Sequence, residues 1–591
     1  MTIRKLSFSL FACIVSMAFF SLTVIPFRAD ISLVALPLSL AFTAGLYFAW
    51  RAVFTGGRTA ALPALRELLQ YGPYVLLVAF VFRRAGAQGT PLLLDACSVL
   101  FWLISSGLTL LVLHYINPKR AGSIDARWGV ALLPKKRSGF LRLGAEVVSW
   151  ADALVQAVFM VLLLNVFIVQ LYEIPSESMV PEFLIKDRVI VFKTASGPRF
   201  PLSTIGLPYV RKYRRGDIVV FRNPHYSNDR KSEVRTFVSQ IVYMVTLTTV
   251  NLNVDDNGDP KADPLVKRVT GLPGEQLMMQ DGVLYARTAA SDDWQAVEED
   301  SSWAAWNLNA VPSATVKSGI RQFPLSQDEY AMMIALEEER NSLDLAAAAL
   351  ESRALAQRFR ELYAVSGAKS SLSSVAFSPR DLQVYSLFSS ASPLTSKLLQ
   401  AANGADWFTA FMTGWCAEEG DGKTWQAAYA SCANLYEQAN FRLNVMIKLV
   451  FGRLILRNAQ LLINRPSPSA WSSDAQLKEY LSKAEELYMY TLLLDRRNMP
   501  AFPANAQDGS PRYIPENCYF MMGDNRFNSL DMRHSYEEWV APLTPYDSYS
   551  VTYRTNMQPQ YVNRDRILGT TSYRFWPAGR MGVPGSTGFK K

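Results

Sequence analysis

Residues 174–179 read Ile174-Pro175-Ser176-Glu177-Ser178-Met179, and 184–193 read Leu184-Ile185-Lys186-Asp187-Arg188-Val189-Ile190-Val191-Phe192-Lys193. A serine sits in a short Pro/Ser turn, just after an apolar helical run and just before an alternating strand. A hydroxyl placed at such a junction contributes little to packing, so Ser178 is the first candidate for chemistry. The same stretch divides the chain. Everything before it has the composition of an anchor, and everything after it reads as a long β-rich body.

The chain has 591 residues, enough for several domains at a prior of ~150 residues each. Half of its residues are hydrophobic, and they concentrate in the first third. The net charge of +9 comes largely from short basic clusters beside apolar runs. That pattern reports membrane topology rather than nucleic-acid binding. The five cysteines, Cys13, Cys97, Cys416, Cys432 and Cys518, have no metal-ligand spacing. Cys416 and Cys432 could pair in an oxidising compartment, which leaves Cys518 over. Gly271-Leu272-Pro273-Gly274 lacks the spacing of a phosphate loop. Neither metal nor cofactor is expected.

Five apolar runs precede the serine turn: 7–27, 31–50, 70–82, 92–116 and 150–171. About 20 apolar residues span a bilayer core. The third run is the weakest, being short and holding Gly72 and Pro73. The loop 117–145 carries Lys119, Arg120, Arg127, Lys135, Lys136, Arg137 and Arg142 against Asp125, which predicts a cytoplasmic loop. The fifth run then delivers Ser178 to the opposite side. In this topology Arg83 and Arg84 fall on the side that positive charge usually avoids.

Downstream, branched and aromatic residues predict strands over 188–193 and 217–222, and through Lys267. Asp281-Gly282 marks a hairpin. The run 237–254, rich in Thr, Ser, Gln and Asn, reads as a β-hairpin near the bilayer. Residues 325–500 change character. Ser326 and Glu329 form a capping-box pattern, and Leu336, Leu343 and Leu350 follow at heptad spacing. The run 433–464 carries Arg442, Arg453 and Arg457 on one face and reads as a core helix with arginine stems laid over it. Ser473 and Gln476 look like the cap of a last helix, ending near Asp495. The expected division is 1–149 transmembrane helices, 150–172 the helix leading into the body, 173–324 and 501–591 the two parts of a β domain, and 325–500 a helical insertion.

Three histidines, His114, His225 and His534, supply a Ser-His-Asp arrangement poorly. His114 ends an apolar helix, and His534 reads as a surface residue. Lysine can serve as the base instead. At an unperturbed pKa of ~10.4, roughly one lysine in a few thousand is neutral at pH 7, and burial lowers that pKa by up to ~3–5 units. Lys267 lies among Leu265, Val266 and Val269. Local sequence alone favours a lysine that simply points to solvent.

The motifs taken together weigh the other way. Four blocks occur in order behind an apolar helix: Pro175-Ser176-Glu177-Ser178-Met179; Arg215-Gly216-Asp217-Ile218-Val219-Val220-Phe221; Lys267-Arg268-Val269 with Gly271-Leu272-Pro273-Gly274; and Gly523-Asp524-Asn525-Arg526 with Asn528-Ser529, Asp531 and Arg533. With these the chain resembles type I signal peptidase, the membrane-bound Ser-Lys serine protease family. The resemblance covers roughly 165–290 and 511–580. It accounts for neither the first four helices nor the insertion.

The resemblance implies a mainly β catalytic domain of the signal peptidase type, membrane-anchored by a helix bundle and carrying a large α-helical insertion. It implies Ser178 as nucleophile and Lys267 as neutral general base, with the Ser178 backbone N–H and the Ser176 hydroxyl holding the oxyanion. Ser529 would orient Lys267. Asp531 and Arg533 would form a supporting ion pair. Gly523, Asp524, Asn525 and Arg526 would build the turn behind the dyad, and Met179 would line a small substrate pocket. The implied reaction removes signal peptides from exported preproteins after small residues, in an A-x-A pattern. The implied partners are those signal peptides, the lipid bilayer and the secretion machinery, with no nucleic acid. The implied location is a bacterial inner membrane, with the catalytic domain on the periplasmic side. Phe575 and Trp576 read equally as residues that dock the body at the lipid and as ordinary core packing.

Glu177 stands where the family usually has a small residue, Phe527 where an acid is expected and Met532 where a small residue is. An inward Glu177 carboxylate would raise the Lys267 pKa, so Glu177 is expected to face solvent. The alternatives are a non-catalytic member that binds envelope proteins, a specialised processing enzyme, and a self-cleaving Ser-Lys repressor, against which the apolar helices and the lack of a helix-turn-helix pattern argue.

Overall fold

The computed structural model describes residues 2–86, 91–133, 140–226, 230–246, 250, 252, 254, 261–366, 376–378, 381–416, 425–465 and 467–585. Lys135, Lys136 and Arg137 of the basic loop lie outside these residues. Four long apolar helices come first: α1 (Ile3–Thr23), α2 (Ala35–Trp50), α3 (Leu62–Gly86) and α4 (Leu92–Tyr115). With α5 (Phe140–Phe167) they give, among the described residues, five helices long and apolar enough to cross a membrane. The third run is therefore a full-length helix with Pro73 inside it. Nearby, the Trp102 indole donates to the Pro73 carbonyl at 2.8 Å. The first four pack around Leu10, Cys13, Met17, Leu69 and Leu76. α5 keeps most of its apolar surface uncovered.

Arg83 and Arg84 are buried. Arg84 pairs with Asp95 at 3.2 Å and donates to the Leu202 carbonyl at 2.7 Å, while Ser203 also reaches Asp95. Phe200, from the same loop of the body, inserts among Phe80, Trp102 and Phe167. The two arginines that run against the topology rule thus lie where the bundle meets the body.

The body is built on an all-antiparallel seven-stranded sheet in the order β1 (Val169–Glu173), β2 (Arg188–Phe192), β13 (Ile567–Trp576), β3 (Ile218–Phe221), β4 (Leu265–Gly271), β9 (Cys518–Met522), β12 (Val562–Asn563). β1 follows α5 almost directly, so the helix runs into the sheet edge. A second sheet has the order β7 (Ser291–Ala296), β6 (Val283–Thr288), β5 (Glu275–Gln280), β8 (Met499–Phe502). β10 (His534–Pro542) and β11 (Thr552–Met557) form a separate hairpin.

The expected hairpin at 237–254 is instead helix α6 (Arg230–Val245). The reason is legible in retrospect. Val234, Phe237, Val238, Ile241 and Val242 repeat at three- and four-residue steps, which is helical periodicity, and the uncharged polar residues disguise it. Much of 247–260 lies outside the described residues.

Between β7 and β8 the chain is helical. The main helices are α7 (Gln327–Ser342), α8 (Leu345–Val365), α9 (Leu435–Asn464) and α10 (Ala475–Arg497). The Ser326–Glu329 capping box forms. The Leu336–Leu350 heptad does not, because the helix ends at Leu343 and Leu350 is exposed. The last helix is capped by Asp474, not Ser473. Arg453 pairs with Glu351, Arg457 with Asp474, and Arg442 donates to the Asn341 and Leu343 carbonyls. The basic face of α9 is satisfied by neighbouring helices. Cys416 and Cys432 are free thiols.

The insertion does not stand apart from the body. Its core takes in Phe527, Leu543, Val551 and Tyr553. Fully buried Lys448 of α9 pairs with Asp547, in the β10–β11 connection, and donates to the Phe411 carbonyl at 2.7 Å. Asn444 bridges Asp547 and the Val551 amide.

Candidate active site

Strand β4 is central, and its neighbours place Lys267. Val219 of β3 lies opposite Lys267, and Arg268 lies opposite Met522 at the end of β9. That register sets Lys267 beside the Gly523 turn. Its ammonium nitrogen is 2.5 Å from Ser178 Oγ. The side chain is almost wholly buried. Burial lowers its pKa to about 8, opposed by the charges of Asp531 and Asp524 and assisted by Arg533. A pKa near 8 leaves roughly a tenth of the amine neutral at pH 7, about two hundred times the fraction of an ordinary lysine.

The serine turn is fixed by the Gly523–Arg526 segment. The Asn525 amide donates to the Ser178 carbonyl at 3.2 Å, and its side chain to the Glu177 carbonyl at 3.1 Å. Ser176 Oγ lies 3.4 Å from Ser178 Oγ. Gly523 has no space for a side chain, since a Cβ there would overlap both the Ser178 carbonyl oxygen and the Ser529 hydroxyl. Gly523→Ala should therefore cost about 1–3 kcal/mol and displace the serine. Thermal unfolding and turnover, measured together, check this.

Around the turn the charges are paired and buried. Arg268 grips Asp524 through two bonds of 2.8 and 2.6 Å and donates to the Gly216 carbonyl. Arg533 and Asp531, both fully buried, meet at 2.8 Å, and Asp531 also accepts from the Gly523 amide at 2.9 Å. Burial opposes ionisation of Asp531, but the Arg533 charge overcomes it and holds the carboxyl well below the usual range. Arg526 pairs with Asp300 at 2.6 Å. Asp300 belongs to no sequence motif, and neither does Trp303, whose ring lies under Arg268 at 4.9 Å. The signal available for either was weak, because both sit in a short segment after β7 without periodicity.

Three expectations change. Glu177 is buried rather than solvent-facing. Its carboxylate accepts the backbone amides of Arg321 and Gln322 at 2.5 and 3.1 Å, so it is turned toward the start of the insertion. His534 is buried, not on the surface, and burial lowers its pKa to about 3. Its ring bonds Asn556. Ser529 is buried beside Gly523, and its hydroxyl has no hydrogen-bond partner among the described residues, so it does not bond Lys267 here. Met179 is buried in a core cluster with Ile174, Phe183 and Val189. Phe527 packs edge-on against Trp306. Trp576 is exposed and Phe575 half-buried. Among the described residues no group of His, Cys, Asp and Glu could hold a metal ion.

The sequence matches the family model described as signal peptidase, peptidase S26, over residues 147–344 and 453–576. The class so defined is a serine endopeptidase. These matched segments make up more than half of the chain, and the chain belongs to the signal peptidase S26 family. It is 26% identical over 207 residues to signal peptidase I of Pseudomonas aeruginosa, covering 34% of this chain and 70% of that relative. It is 32% identical over 123 residues to signal peptidase I of Pseudomonas fluorescens, covering 20% and 43%. With signal peptidase I of Bacillus licheniformis it shares 26% identity over 136 residues, covering 23% and 48%.

Proposed function

We propose that this chain is a signal peptidase I that cleaves exported preproteins after small residues with a serine nucleophile and a neutral lysine base. The observation that carries the reading is the 2.5 Å approach of a buried Lys267 amine to Ser178 Oγ. Lys267 takes the hydroxyl proton as Ser178 Oγ attacks the scissile carbonyl carbon. The resulting ammonium gives that proton to the leaving amine. Lys267 then deprotonates a water, which hydrolyses the ester and frees Ser178. The Ser178 amide and the Ser176 hydroxyl hold the oxyanion. Asp531 and Arg533 fix the turn and balance the charge near Lys267.

The placement in a bacterial inner membrane, with the body on the periplasmic side, and the division into anchor, two-part β domain and insertion are parts of the same proposal. Trp576 and the uncovered face of α5 suit contact with lipid. The substrate's apolar segment would lie beside α5. The rival non-catalytic reading has no missing group to support it.

The test is cleavage of a purified preprotein with alanine one and three positions before the cut, in lipid, across pH. A neutral-lysine base requires kcat/KM to rise tenfold per pH unit below about 8 and to level off above it, following the Lys267 pKa. A flat profile through that range would reject Lys267 as the base. No cleavage of several preproteins by folded protein would favour the binding reading.

A further inference from the structure

A cavity of about 670 Å³ opens where α5 ends and the body begins. Val166 of α5 forms part of its wall, and so does the loop that seats Phe200 in the bundle. Its lining holds five cationic side chains against three carboxylates. Two of those cations matter most. Lys193 is nine-tenths buried, and among the described residues its ammonium reaches only neutral acceptors, the Asn165 carbonyl at 2.8 Å and Gln170 Oε1 at 3.0 Å. Arg566 donates to the Asn223 carbonyl at 3.3 Å, and neither Lys193 nor Arg566 has a carboxylate within ion-pair distance among the described residues. Arg222 lies close enough to repel both. The neighbouring Asp263 accepts from the Asn223 amide at 2.9 Å and also attracts Arg566 and Arg222, and Arg222 lies 4.0 Å from Glu233, so among the described residues the buried Lys193 is the cation left without a carboxylate.

Cations gathered around a cavity, one of them buried without a counter-ion, are costly unless an anion joins them. At the end of a bilayer-length apolar helix, the anion at hand is the phosphodiester of a membrane lipid. Arginine and lysine side chains are the usual partners of phosphate oxygens, and basic pockets beside spanning helices suit anionic head groups. We propose that this cavity binds the phosphate of an anionic phospholipid, through Lys193, Arg566 and Arg222, while the acyl chains run along α5. The catalytic dyad takes no part in it. A bound lipid would tie the α5–β1 junction to the loop bearing Phe200, and so hold the body at a fixed height on the bundle.

The experiment uses the full chain, purified in neutral detergent and stripped of lipid. Binding of phosphatidylglycerol, phosphatidylcholine and inorganic phosphate is measured by native mass spectrometry and by thermal shift. Wild type is expected to bind phosphatidylglycerol at least about tenfold tighter than phosphatidylcholine, a difference of ~1.4 kcal/mol. Lys193→Gln combined with Arg566→Gln should abolish that preference. Arg222→Gln alone, at the half-exposed position, should weaken it and guards against misfolding of the double variant. Equal binding of inorganic phosphate and phosphatidylglycerol would make this a free-phosphate site and overturn the lipid assignment. An unchanged lipid preference in all variants would overturn the site itself.

Discussion

Ser178→Ala and Lys267→Met are each expected to lower kcat/KM by about 10⁴-fold or more, and the double variant to be no worse than either alone. In the proposed mechanism the two groups act as one unit, with the hydroxyl proton passing across a single 2.5 Å contact. Once one member is lost, the other has nothing to do. Residual turnover would come from the oxyanion donors and substrate binding. Single-turnover cleavage of a preprotein by the three variants checks this. Activity surviving Lys267→Met would remove Lys267 from the role of base.

The same variant carries a stability prediction of opposite direction. Burial depresses the Lys267 pKa to about 8 from an ordinary ~10.4, which corresponds to roughly 3 kcal/mol of destabilisation at neutral pH. The unfolded chain holds its proton more tightly, so the penalty is full below about pH 8. It fades as pH rises toward ~10.4 and the unfolded lysine also loses its proton. Lys267→Met should therefore be more stable than wild type at pH 7, and the difference should shrink above pH 8. Denaturant unfolding at two pH values measures it.

The second large effect concerns the buried pair behind the dyad. Asp531→Ala should cost about 3–5 kcal/mol, a large share of ordinary domain stability. It leaves the Arg533 guanidinium fully buried and without its carboxylate, although the Arg496 and Arg526 carbonyls remain. It also frees the Gly523 amide that Asp531 accepts from. Replacing both partners together with apolar residues of similar volume should cost less than replacing Asp531 alone, because no unpaired charge stays behind. Asp531→Asn separates structure from chemistry. The carboxylate raises the Lys267 pKa, so its removal should move the acid limb of the pH–rate profile to lower pH. Unfolding curves and pH profiles of the three variants decide the matter, and an unmoved limb in a folded Asn variant would mean Asp531 acts only in support of the turn.

Much of this was present in the sequence because local physics carried it. Apolar runs of spanning length marked the five long apolar helices, including the third, which holds Pro73. Motifs whose residues are close in sequence, such as Ser176 to Met179 or Gly523 to Arg533, gave the candidate site. The hairpin over 237–254 was a misreading of period, since β-branched and hydroxyl residues hid a helical repeat. The Leu336–Leu350 heptad failed because a helix end at Leu343 interrupts it.

Contacts between distant segments needed the tertiary structure. Nothing near Glu177 in sequence announces that the amides of Arg321 and Gln322 will take up its carboxylate. No motif links Asp300 to Arg526, or Lys448 of the insertion to Asp547 of the body. His534 lies among polar neighbours and looked exposed, yet the fold buries it. Residues a few positions apart were enough to mark most of the helices and strands and the groups with the chemistry for a serine–lysine site, since hydrophobic periodicity and residue type act over that range. The burial of Lys267 against Ser178 comes from the packed fold. Desolvation and charge pairing are summed over everything packed around a group, and strands β3, β4 and β9 bring those neighbours from positions hundreds of residues apart.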